Sequence, residues 1–122
     1  MLMIKENKAR ERRIAMEAVV DAYDEAERAM GWYYYLEGRL KVPFRERCKA
    51  KRPVSPLRVG EEVKVLGMAP EKECGSEMCV WVRWSGRRLA VPLSQLQSLS
   101  KDPGTKEAVR DWNYWVTRGY HF

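Results

Sequence analysis

A chain of 122 residues, 45% hydrophobic and 33% charged, carries enough apolar surface for one globular core and too much for a disordered segment. Its 23 Lys and Arg against 17 Asp and Glu leave a formal charge of +6, which favours polyanionic partners such as nucleic acid, or an acidic protein. The longest apolar runs fall far short of the roughly 18 residues of a membrane span. The opening MLMIKENKARERR lacks the apolar middle of a secretion signal, so the expected location is cytoplasmic, away from membranes.

Residues 5–30 predict an amphipathic helix. Ile14, Ala18, Ala22, Ala26 and Met30 recur every fourth residue, with Val19 and Tyr23 beside them. Gly31 reads as a bend or stop, and a second helical segment follows from Trp32 to Arg39. That segment opens with four adjacent aromatics, Trp32, Tyr33, Tyr34 and Tyr35. Each such ring buries on the order of 150–250 Å² when covered. With Trp112, Tyr114 and Trp115 they mark the seam where the N-terminal helix meets the rest of the fold, or part of a binding surface.

From Val42 the period changes to two. Val42, Phe44, Cys48 and Ala50 fall on one side, interrupted by Glu46, and Arg45, Arg47, Lys49 and Lys51 fall on the other. Pro53 and Pro56 close this strand. Further strands are expected at 62–68, 77–84 and 87–92, with a polar loop at 69–76 and a tight hairpin turn at Ser85-Gly86. A helical turn at 93–96 and a short strand at 97–99 complete a rhythm that predicts a small SH3-like β-barrel. Asp102-Pro103-Gly104 opens a closing helix at about 105–118. The expected fold class is α+β in a single domain spanning 1–122. Its helical part covers 5–40, its small barrel 42–99 and its C-terminal helix 105–118.

Three cysteines, Cys48, Cys74 and Cys79, make an odd and irregular set that reads as reduced thiols rather than as a disulfide framework or a zinc site. The sole histidine, His121, sits one residue from the end, with no flanking pattern that would pair a nucleophile with a base. Glycines are scattered singly, so no loop cradles phosphates. The chain therefore reads as a binding protein and not an enzyme.

Four segments are distinctive: GWYYYLE at 31–37, SPLRVGEEVKVLGMAPEKEC at 55–74, WVRWSGRRLAVPLSQL at 81–96 and DWNYWVTRGYHF at 111–122. In this order and spacing they resemble the small bacterial calcium-binding proteins of the CcbP family, over about Ala29 to Phe122. The resemblance implies a compact α+β domain that binds calcium without an EF-hand, through surface carboxylates, as a cytoplasmic buffer or regulator. The chain departs from the family pattern in three places. It is basic where members are generally acidic, Gly38 follows the YYYLE segment where an acid is common, and Lys72 and Gly75 interrupt the loop. A site with fewer carboxylates is expected to be weaker.

Calcium takes about 6–8 oxygen ligands, several of them carboxylates. No EF-hand loop pattern exists here, so the candidate ligands are Glu37 from the aromatic segment and Glu71, Glu73 and Glu77 from the loop, with Glu61, Glu62 and Asp111 as additions. Without a metal, the same acids read as solvated loop and strand-edge groups. The row Arg45, Arg47, Lys49 and Lys51 supports a second function, polyanion binding, because side chains two apart on a strand point the same way about 7 Å apart. The plainer reading of that row is an edge strand shielded by charge. The sequence leaves the oligomeric state open.

Overall fold

The computed structural model describes residues 6–70 and 77–120. Its first helix, α1 (Lys8–Arg13), starts at Asn7, whose side chain accepts a hydrogen bond from the Arg10 amide. Residues Ile14–Ala18 widen into a π-helical turn, closed by the Val19 amide on the Ile14 carbonyl at 3.0 Å. The chain then breaks. Asp21 adopts a φ of 56°, and α2 (Glu25–Arg39) restarts at Asp24, whose carboxylate accepts from the Glu27 amide at 2.7 Å. The continuous helix expected over 5–30 is thus two helices, parted at 19–24 and not at Gly31. Asp24 and Glu27 form the acid-x-x-acid pattern of a helix start, and that local signal overrides the alanine stripe. Gly31 lies inside α2. A Cβ built there would stand 2.3 Å from the Ala18 carbonyl oxygen, so glycine is what lets the π-helical turn cross α2 this closely.

Five antiparallel strands follow: β1 (Phe44–Cys48), β2 (Glu62–Ala69), β3 (Cys79–Trp84), β4 (Arg87–Pro92) and β5 (Leu96–Ser98), in the order β4-β3-β2-β1-β5. Ser85 and Gly86, both at positive φ, make the two-residue turn between β3 and β4. A 3₁₀ turn (Leu93–Gln95) leads to β5, and α3 (Pro103–Thr117) starts at Asp102, which caps the Thr105 amide at 2.8 Å. The expected barrel is corrected to an open sheet. The three residues of β5 pair with β1 alone, which leaves β4 and β5 at opposite edges. Nor is β1 an edge strand, since it pairs with β2 on one side and β5 on the other. Among the described residues no helix is long and apolar enough to cross a membrane.

The helices pack on one face of this sheet. Trp32 of α2 and Trp112 of α3 are fully buried with ring centroids 5.0 Å apart, and Trp32 also meets Tyr35 at 5.7 Å, each pair edge to face. This is the aromatic seam expected from sequence. Beside it lies Asp111 of α3, with no exposed surface. Its carboxylate accepts from Arg13 at 2.8 and 2.9 Å, from Arg10 at 2.5 Å and from the Tyr35 hydroxyl at 2.6 Å. One anion therefore ties α1, α2 and α3 together. Burial, and then the bond to Asp111, push the Tyr35 hydroxyl above its ordinary pKa, which keeps it a donor.

Glu46, the residue that interrupts the apolar side of β1, points inward with Phe44 and Cys48 and is fully buried. Neither carboxyl oxygen has a hydrogen-bond partner. Burial raises its pKa to about 8, opposed only by the charge of Lys49.

Three outcomes are expected from denaturation experiments. Gly31→Ala should lose roughly 1–3 kcal/mol because a backbone carbonyl has to move, whereas Gly38→Ala, in open space on the same helix, should be neutral or gain up to about 1 kcal/mol. Asp111→Asn should lose roughly 3 kcal/mol or more, since two arginines keep their charge and lose its partner. For Glu46 the folded state prefers the proton, so its contribution is fully present below the ordinary value of 4.5 and is lost as pH rises through about 8. The parent protein should then lose roughly 3 kcal/mol between about pH 5 and pH 8, and Glu46→Gln should flatten that slope.

Candidate metal site

The last turn of α2 presents Glu37 to solvent. One turn earlier Tyr33 is half-buried, and its hydroxyl is held protonated by burial first, then by the charge of Glu37 and a hydrogen bond to it. Tyr33 and Tyr34 share a pocket of about 570 Å³ with Pro70, the residue at which the chain leaves β2. Glu37 therefore stands one helical turn along α2 from Tyr33, which lines that pocket. Glu71 and Glu73 lie outside the described residues. Glu77, where description resumes, is partly buried and already engaged: Arg52 donates to it at 2.6 Å and the Ser94 hydroxyl at 3.0 Å.

The three additional candidates all hold internal partners. Glu61 accepts from the Arg58 amide at 3.0 Å and the Trp84 indole at 2.9 Å, and those bonds keep its pKa low. Glu62 faces Arg45 at 3.5 Å and Arg47 at 3.4 Å. Asp111 is the buried tie between the helices, so its expected role as a ligand is corrected to a structural one. Among the described residues no three His, Cys, Asp or Glu gather closely enough to hold a metal ion. Of the described candidates, Glu37 and Glu61 take part in no ion pair, and Glu61 is occupied by the Arg58 amide and the Trp84 indole.

Sequence reasoning missed Glu25. It lines the same pocket as Tyr33 and Pro70, and Glu25, Ala29, Tyr33 and Glu37 recur every fourth residue along α2. The signal was that periodicity, hidden because 5–30 was read as one helix ending before the aromatics.

The expected polyanion face does not stay together. Arg45 and Arg47 project from the sheet face opposite the core, where Glu62 answers both. Lys49 lines a separate cavity beside α3, and Lys51 is exposed beyond the end of β1. The expectation of three reduced thiols is also corrected. Cys79 is disulfide-bonded, and Cys48 is free and buried.

The CcbP family model, described as calcium binding, matches residues 12–116. The crystal structure of Anabaena CcbP is 42% identical with a TM-score of 0.86, and the match covers 100% of both chains. A calcium-binding protein solved in its calcium-binding form is likewise 42% identical with a TM-score of 0.82, again over 100% of both chains. No curated protein matches. The likeness thus reaches α1 and the π-helical turn, which the sequence resemblance from Ala29 onward had left out. The chain belongs to the CcbP family of calcium-binding proteins.

Proposed function

We propose that this protein binds calcium without an EF-hand, as a cytoplasmic buffer or regulator of the free ion, at a site shared by the end of α2 and the 69–77 segment. Glu37, Glu71 and Glu73 supply the main carboxylate oxygens. Glu77 contributes less, because Arg52 already offsets its charge. The observation that carries the reading is the exposed Glu37 carboxylate, bonded to the tyrosine that shares a pocket with Pro70 at the loop entrance.

The chemistry is neutralisation. Carboxylates brought near one another repel, and a hard dication replaces that repulsion with short contacts to oxygen. Binding would then join the helix end to the loop and stiffen the loop. The net charge of +6 and Gly38 in place of an acid both weaken the attraction, so the affinity belongs at the weak end of the family.

Calorimetric titration at moderate salt should give a saturable calcium isotherm. Glu37→Gln, and Glu71→Gln with Glu73→Gln, should each weaken it by about tenfold or more, and Glu77→Gln by less. Absence of both heat and a thermal shift at millimolar calcium would end this reading.

A further inference from the structure

A cavity of about 460 Å³ opens between α3 and the β5 edge of the sheet. Cations from three stretches converge on it: Arg10 of α1, Lys49 just past β1, and Lys106 and Arg110 of α3. Lys106, Arg110 and Asn113 recur at i, i+4 and i+7, so they lie on one face of the helix. A second depression, of about 250 Å³, shares Arg10, Lys106 and Arg110 and adds Lys101, with Glu107 as its one acid.

The acids on these elements are engaged elsewhere. Asp111 holds Arg10 and Arg13, Glu107 faces Arg13 and Arg39, and Asp102 caps α3 and meets Lys41. Among the described residues Lys49, Lys101, Lys106 and Arg110 take part in no ion pair. The carboxyl within electrostatic reach of Lys49 is the buried Glu46, whose own burial favours its neutral form; burial also lowers the Lys49 pKa, opposed by Glu46. Like charges at i and i+4 on one helix repel, and a concave wall concentrates their field.

We infer that this cavity binds a small phosphate ester, its phosphates on Lys49, Lys106 and Arg110. The volume falls in the range of small-ligand pockets, roughly 300–1,000 Å³. The cations ring a depression instead of following a line, which suits a compact anion better than a nucleic-acid backbone. The site uses none of the residues proposed for calcium, so the two readings stand or fall separately.

The test is calorimetric titration of the full chain, in calcium-free buffer at low salt, with ATP and with pyrophosphate. ATP and pyrophosphate should each bind with a saturable isotherm. Lys106→Gln with Arg110→Gln should weaken ATP binding by at least about tenfold, and Lys49→Gln, from a separate element, by about threefold or more. Circular dichroism melts report that the variants are folded. Arg45→Gln with Arg47→Gln on the opposite sheet face, and Glu71→Gln with Glu73→Gln, should leave binding unchanged. The inference is overturned by absence of saturable heat with ATP, by an equal loss in the Arg45/Arg47 variant, or by a short DNA duplex that binds through the same residues more tightly than ATP.

Discussion

The buried carboxylate of Asp111 sets the geometry on which the rest of the helical layer depends. It collects two arginines from α1 and a tyrosine hydroxyl from α2, and it is itself carried by α3. A charge with no exposure is costly unless it is paired and hydrogen-bonded, and here both of its oxygens are answered. The consequence reaches the candidate site. Tyr33 and Glu37 each lie two residues from Tyr35, about 200° around the helix. Anchoring Tyr35 inward through Asp111 therefore turns both of them away from that anchor, Glu37 into solvent and Tyr33 into the pocket it shares with Pro70. Trp32, held between Tyr35 and Trp112, fixes the same rotation by packing.

Much of the sheet was legible from alternation. Val63 and Val65, Val80 and Val82, and the Ser85-Gly86 turn stand where a period of two and a two-residue hairpin place them. Alternation cannot show how far a sheet curls, and the three-residue β5 is too short to bring the two edges together. The helix break at 19–24 was missed because alanine fits either side of it, while the signal for it sat in Asp24 and Glu27. Glu46 looked like an interruption of an apolar face. The structure keeps it on that face and raises its pKa instead, a response that depends on what packs above β1 and is invisible in the residue string.

The candidate site was legible in part for a similar reason. Acidic residue types and family segments point to Glu37 and the loop, but the sequence does not say which acids already have partners. Arginines answer Asp111, Glu62 and Glu77, and hydrogen bonds occupy Glu61. A basic chain thus hides much of its negative charge inside its own fold. What remains positive is uneven, with Lys49, Lys106 and Arg110 gathered in the cavity between α3 and β5. That unevenness reconciles a net charge of +6 with membership of a calcium-binding family.

The most direct test of the central claim is a calcium titration followed by backbone amide NMR spectra of the full chain. Saturable shifts confined to Tyr33, Glu37 and residues 69–77, with the amides of Lys106 and Arg110 unmoved, are the expected result. Shifts centred on any other surface, or none up to millimolar calcium, would contradict it.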